Sequence, residues 1–132
     1  YKVNGMEYMV PNIGIQIKLW DFDFACIPGI VDNAKVDAEW TKKINIKSQM
    51  NRYYDVHYFF NTLTKKGFFD HFWDAKEIPQ KVKEFVRRVV PEKYDEGEFV
   101  SERGRILVDK EYTTPDEIIK IDPFFEKMRI EK

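Results

Sequence analysis

A chain of 132 residues with 43% hydrophobic and 16% aromatic content holds enough apolar material for one packed domain, or one lobe of a larger one, which excludes a disordered chain. Its 22 Lys and Arg against 23 Asp and Glu give a formal charge of -1, so the basic excess of a dedicated nucleic-acid binder is missing and no nucleic-acid partner is expected. The single cysteine, Cys26, excludes an intramolecular disulfide and points to a reducing compartment, where it reads as a small core residue rather than a nucleophile. No apolar run approaches the roughly 20 residues that span a bilayer and no signal peptide is visible, so a cytoplasmic protein without a membrane partner is expected. The chain opens on Tyr1 rather than Met, which reads as a processed product, an expressed piece, or the ordered part of something longer.

No internal repeat or low-complexity tract is present. Ile13, Ile15, Ile17 and Leu19 alternate with Gly14, Gln16, Lys18 and Trp20. That period of two predicts a strand, with Tyr8, Met9 and Val10 as its hairpin partner across the turn-like Pro11-Asn12-Ile13-Gly14. The apolar run stops at two carboxylates spaced one apart, Asp21 and Asp23, and a polar stretch predicted to be irregular follows Pro28-Gly29 to about residue 50. Val56, Phe59, Phe60 and Leu63 then fall at i, i+3, i+4 and i+7, one face of a helix, with Gly67 as a stop. Val82, Phe85, Val86 and Val89 repeat that spacing within a second predicted helix over 79–90, opened by Pro79 and ended by Pro91. Residues 92–111 read as a charged loop with a short element around Ile106. Thr114-Pro115-Asp116-Glu117 has the pattern of a capping box opening a short helix through Ile118 and Ile119. Asp122-Pro123 opens a terminal helix with Phe124, Phe125 and Met128. The expected fold is α+β and mostly helical, with a short antiparallel hairpin near the start.

Two carboxylates one apart at a strand end can share a hard cation such as Mg²⁺ through oxygen ligands. Apolar neighbours make ionised acids costly without a partner. The plain alternative is a strand end with solvated acids. Three enzyme classes use the local shape. Haloacid-dehalogenase-type phosphatases place a nucleophilic Asp in Asp-x-Asp, but usually follow it with Thr or Val where this chain has Ala25. Metal-dependent glycosyltransferases use Asp-x-Asp on Mn²⁺ within a longer α/β domain. Protein kinases use a strand followed by Asp-Phe-Gly, the Asp holding Mg²⁺ against ATP phosphates; here Asp23 stands at the third position.

The downstream order resembles the kinases. The run from Tyr54-Asp55-Val56-His57 to Leu63 is similar to the kinase helix whose Asp braces the catalytic loop, and it follows Asp21 by 34 residues. Ile78-Pro79 to Val86 resembles a later kinase helix. Arg103 or Arg105, then Thr114-Pro115-Asp116-Glu117 and Asp122-Pro123-Phe124-Phe125, look like the close of that fold. The resemblance runs in order over residues 10 to 129 and is closest to the divergent serine/threonine kinases of large double-stranded DNA viruses.

The resemblance implies a partial protein-kinase-like C-terminal lobe over residues 1–132, from the metal-binding strand to the last helix. It makes Asp21 the metal residue and Phe22 and Asp23 the cofactor-side residues, with Asp55 a structural brace. Mg²⁺ and ATP are the implied cofactors of the full-length protein. ATP and a protein substrate are its implied partners, with a viral or host protein as a further one, in the host cytoplasm or the virion. No Gly-rich loop, strand Lys or His-Arg-Asp catalytic loop is seen, and no catalytic residue is assigned within the 132 residues. A catalytically inactive kinase-like scaffold or virion structural protein is the alternative. No Ser, Thr or Tyr lies between Phe24 and Trp40, leaving Thr41, Ser48 and Tyr53 as candidate phosphosites. His57 reads as a packing residue, the aromatics around His71 as core, and Arg87-Arg88 as a solvated face.

Overall fold

The structure, a computed structural model, describes residues 1–19, 21–65, 68–90, 92–94, 97–108 and 113–130, with Lys93 described by its backbone alone. Its regular elements are β1 (Lys2–Val3), β2 (Met6–Tyr8), α1 (Glu39–Lys42), α2 (Tyr54–Thr64), α3 (Gln80–Val89), α4 (Pro115–Ile121) and β3 (Arg129–Ile130). Three 3₁₀ turns, Glu92–Tyr94, Gly97–Phe99 and Pro123–Met128, link the later ones. The described body is mostly helical beside a small antiparallel sheet in the order β1-β2-β3, so the α+β expectation holds.

The hairpin lies earlier than the alternation suggested. Asn4 and Gly5 both take positive φ, 48° and 81°. That pair of left-handed residues is what a two-residue turn needs to match strand twist, and Asn-Gly supplies it at low cost. Lys2 pairs with Glu7 and Val3 with Met6, while β3 closes on the other side of β2 through Glu7–Ile130 and Tyr8–Arg129. The strand predicted at 13–19 is not found. Ile13, Ile15, Ile17 and Leu19 are 72–90% exposed, and Gly14 turns with φ 75° under an Asn12 side-chain cap. Alternation creates one apolar face, but a strand also needs a neighbour for its backbone groups. No described segment provides one. Trp20 lies outside the described residues.

The main core forms where α3 meets α2, α4 and the last 3₁₀ turn. Phe72, Phe85, Val86, Val89, Val90 and Ile118 are buried together, with Val56, Phe60, Leu63, Phe124 and Phe125 packed around them. Phe85 stacks on Phe124 at 4.7 Å and meets Phe60 edge-on at 5.5 Å. Burial of the Phe85 ring contributes about 1.5–3 kcal/mol relative to exposure. α3 matches its periodicity closely, although Pro79 is its N-cap rather than its first turn. α4 begins at Thr114 with the full capping box, and Asp122 caps the following 3₁₀ turn through Phe124 N, so the predicted terminal α-helix is a tighter turn.

Four expectations are corrected here. The most buried residues of α2 are polar, His57, Asn61 and Thr64, whereas Phe59 of the predicted apolar stripe is 61% exposed. Arg87 and Arg88 are not a free solvated face: Arg87 lies 4.0 Å over the Trp73 ring, and Arg88 bonds Asp122 bidentately at 2.8 and 2.9 Å. In the aromatic run around His71, only Phe72 is fully buried, and Phe68 and Phe69 are exposed. His57 is buried as expected, and Cys26 is half-buried beside the Ser48 carbonyl rather than in the core. The predicted stops Gly67 and Pro91 lie outside the described residues. Ile106, the centre of the predicted short element, is fully buried and its segment bridges to Val100.

Candidate functional site

The two acids of the opening motif part company. Asp21 takes φ 63°, a left-handed conformation that Asp tolerates better than most residues but that still costs free energy. Such outliers concentrate at functional turns. Its Oδ1 accepts the amide of Asp23 at 3.4 Å, and Ala25 N donates to Phe22 O at 2.9 Å, which curls the chain after Asp21. Asn33 then pins the curl from outside: its amide nitrogen donates to the carbonyls of Asp23 and Ala25 at 2.8 and 3.0 Å. Lys35 Nζ meets the Asp23 carboxylate at 2.6 Å. Phe24 packs edge-on against Trp40 at 5.9 Å.

A cavity of about 540 Å³ opens on the inner side of this turn. Asp21, Phe22, Phe24 and Ala25 line it from the turn, and Tyr54, Asp55 and Tyr58 line it from α2. Lys47 and Arg105 add two cations. Asp23 is not on its wall. Sequence reading named Asp21, Phe22, Asp23 and Asp55 together, and the fold brings Asp21, Phe22 and Asp55 to one space while turning Asp23 to Lys35. Phe22 is 69% exposed. Asp55 sits in the first turn of α2, where a carboxylate suits the positive end of the helix dipole.

Of the two candidate arginines, Arg105 reaches the cavity. Its guanidinium lies 4.8 Å over the Tyr58 ring, and the Tyr54 hydroxyl, on the same cavity, donates to Ile44 O at 3.1 Å. Burial raises the Tyr54 pKa above its ordinary value, and Arg105 pulls it back in part, so the hydroxyl keeps its proton at neutral pH. Arg103 instead offers its backbone carbonyl to Thr62 Oγ1 at 3.0 Å. Deeper in α2, burial pushes the His57 imidazole below its ordinary pKa, against the opposing pull of the Thr113 and Val89 carbonyls. Nε2 lies 2.8 Å from Thr113 O, which ties α2 to the approach of α4. The roles of Asn33, Lys35 and the Arg105–Tyr58 pair were not read from sequence, since each depends on contacts between distant parts of the chain.

Among the described residues no three His, Cys, Asp or Glu side chains cluster as a metal site. A Mg²⁺ ion needs less from a protein, being held by one or two carboxylates together with waters and phosphate oxygens. The Asp21 carboxylate on the cavity wall fits that protein share. The acids do not face one space, and the described sheet is antiparallel, so the phosphatase and glycosyltransferase readings lose their geometry.

The chain is 55% identical over 130 residues to the Acanthamoeba polyphaga mimivirus protein named "Putative serine/threonine-protein kinase R400", covering 98% of this chain and 28% of that protein. The chain thus spans 28% of the length of this curated relative. No solved structure matches. That identity places the chain among the kinase-like proteins of large DNA viruses. A model described as poxvirus serine/threonine protein kinase matches residues 1–103, and the chain belongs to that family.

Proposed function

We propose that residues 1–132 form part of the C-terminal lobe of a serine/threonine protein kinase that transfers the γ-phosphoryl group of Mg-ATP to a protein hydroxyl. The observation that carries this reading is the left-handed Asp21, its carboxylate on the cavity shared with Asp55 while Asp23 is drawn off to Lys35. In the full-length protein Asp21 would hold Mg²⁺, which when bound neutralises charge on the transferred phosphate. Phe22 borders the nucleotide side of the turn, and Asp23 acts on it through Lys35. Asp55 braces the cavity from α2. A phosphate-cradling loop, a strand Lys and a catalytic loop are absent from these 132 residues, and in this reading the rest of the full-length protein supplies them.

The test is phosphotransfer by the full-length protein and its Asp21→Asn variant. Loss of one metal carboxylate is expected to lower the rate about 10²–10³-fold, several kcal/mol of transition-state stabilisation, with the thermal melt unchanged. Asp23→Asn, which breaks only an exposed pair with Lys35, should stay within about threefold of wild type. Full activity in Asp21→Asn would remove the metal role. Absence of phosphotransfer in the wild-type protein would leave the kinase-like scaffold as the better reading.

A further inference from the structure

The segment after Asp21 folds back on itself. Ile27 N donates to Val31 O at 3.0 Å and Val31 N to Ile27 O at 2.9 Å, with Gly29 at φ 77° in the bend. This return brings Asn33 beside the curl that the chain left at Asp23. The Asn33 side chain then uses both of its N–H groups and its oxygen. Nδ2 donates to Asp23 O at 2.8 Å and to Ala25 O at 3.0 Å, and Oδ1 accepts from Lys35 N at 2.9 Å. These partners fix which way the amide faces, since an oxygen turned toward the two carbonyls would meet no proton.

Asn33 is itself anchored to buried backbone. Its carbonyl accepts from Val36 N at 2.9 Å, and the carbonyl of the buried Val36 accepts from the Thr41 hydroxyl at 2.8 Å. A bonded path thus runs from α1 to the turn that carries Asp21. On that turn Asp23 joins the two ends, its carbonyl held by Asn33 and its amide donating to Asp21 Oδ1 at 3.4 Å. The left-handed Asp21, at φ 63°, is a conformation that surrounding contacts must maintain. A phosphorylated hydroxyl within residues 24–41 does not supply them. No Ser, Thr or Tyr lies between Phe24 and Trp40, and Thr41 is fully buried with its hydroxyl already bonded to the Val36 and Ala38 carbonyls.

We propose that Asn33 is a positioning residue: by holding the Asp23 and Ala25 carbonyls it keeps Asp21 left-handed, with its carboxylate on the cavity wall. The role needs an amide at this reach. Asp keeps the shape and the acceptor but has no N–H to give, and Leu has neither donor nor acceptor. The exposed Lys35–Asp23 pair directs a side chain, whereas Asn33 holds the backbone. The consequence for phosphotransfer rests on the function proposed above; the hold on the turn does not.

Hydrogen exchange and kinetics on the full-length protein separate the two. In Asn33→Asp and Asn33→Leu the Ala25 amide, whose bond to Phe22 O closes the curl, should exchange about tenfold faster while α3 amides keep their wild-type rates. In the same variants the Mg²⁺ concentration for half-maximal phosphotransfer should rise about tenfold with the KM for the protein substrate little changed, because a displaced Asp21 weakens metal capture rather than substrate binding. Unchanged Ala25 exchange in both variants, or an equal rise across α3, overturns the positioning role. An unaltered Mg²⁺ dependence in an active enzyme whose Ala25 amide has loosened overturns it as well. Faster exchange confined to residues 22–27, in a protein whose wild type shows no phosphotransfer, upholds the hold on the turn and refutes only the kinase reading.

Discussion

Removing Arg88 should cost more than removing its partner, because the two ends of the pair are unequally buried. The Asp122 side chain is 9% exposed and that of Arg88 41%. Asp122 accepts two bonds from Arg88, at 2.8 and 2.9 Å, and a third from Phe124 N at 2.8 Å as the cap of the last 3₁₀ turn. In Arg88→Met the carboxylate stays buried with only the Phe124 amide to stabilise it. Fully buried pairs lose about 3–5 kcal/mol when one partner is removed, and the half-exposed arginine discounts this to about 2–3 kcal/mol at pH 7. In Asp122→Asn the arginine turns to water and the amide oxygen can still cap Phe124 N, so about 1 kcal/mol is expected. Urea unfolding midpoints of the 132-residue chain would measure both. The pH dependence supplies a second check. The Arg88 hydrogen bonds, followed by the Phe124 amide, hold the Asp122 pKa below its ordinary value against burial. Stability from this group is therefore full above the unfolded carboxylate pKa of about 3.9 and is lost as pH falls through the lower folded value. The wild-type advantage over Arg88→Met should shrink across that acid window. A cost below about 0.5 kcal/mol at pH 7, the range of an ordinary surface change, or an advantage undiminished in acid, would refute the reasoning.

Gly104→Ala combines a strained φ with a Cβ forced against the α2 backbone at Thr62, and should destabilise the chain by more than about 2 kcal/mol, read from the same urea midpoints. His57 has its pKa lowered by burial, so the unfolded chain binds a proton more readily. Its contribution is complete above the unfolded value of about 6.5 and is lost as pH falls from there toward the lower folded value. The unfolding midpoint should therefore rise between about pH 5 and 7.5, with a shallower slope in His57→Asn. An identical slope in the two proteins would show that other groups carry the dependence.

Where local chemistry decided the structure, the sequence was readable. The Val82–Val89 spacing put Phe85, Val86 and Val89 in the core, and Thr114 with Glu117 closed the expected capping box. Both signals are complete within one or two helical turns. The hairpin signal was equally local, Asn4-Gly5, but the longer alternation at 13–19 outweighed it although nothing among the described residues pairs with that segment. In α2 the apolar stripe and the most buried face diverge: His57 meets the Thr113 carbonyl and Thr64 the Phe60 and Asn61 carbonyls of its own helix, so each is buried with a hydrogen bond in place. Periodicity reports hydrophobicity, not the partners that make a polar side chain tolerable in a core.

The candidate site shows the same boundary more sharply. In Trp20-Asp21-Phe22-Asp23-Phe24 nothing intrinsic distinguishes the first acid from the second, since both are aspartates among aromatics. The distinction comes from Asn33 and Lys35. Asn33 bonds the carbonyls of Asp23 and Ala25, which fixes the curl, and Lys35 draws the Asp23 carboxylate away from the cavity. If that division is what sets the roles, moving the cation should matter more than moving the second acid. Lys35→Met frees the Asp23 carboxylate while Asn33 still holds the backbone, so phosphotransfer by the full-length Lys35→Met variant should fall further below wild type than that of Asp23→Asn, and equal rates would show that the division does not set the roles.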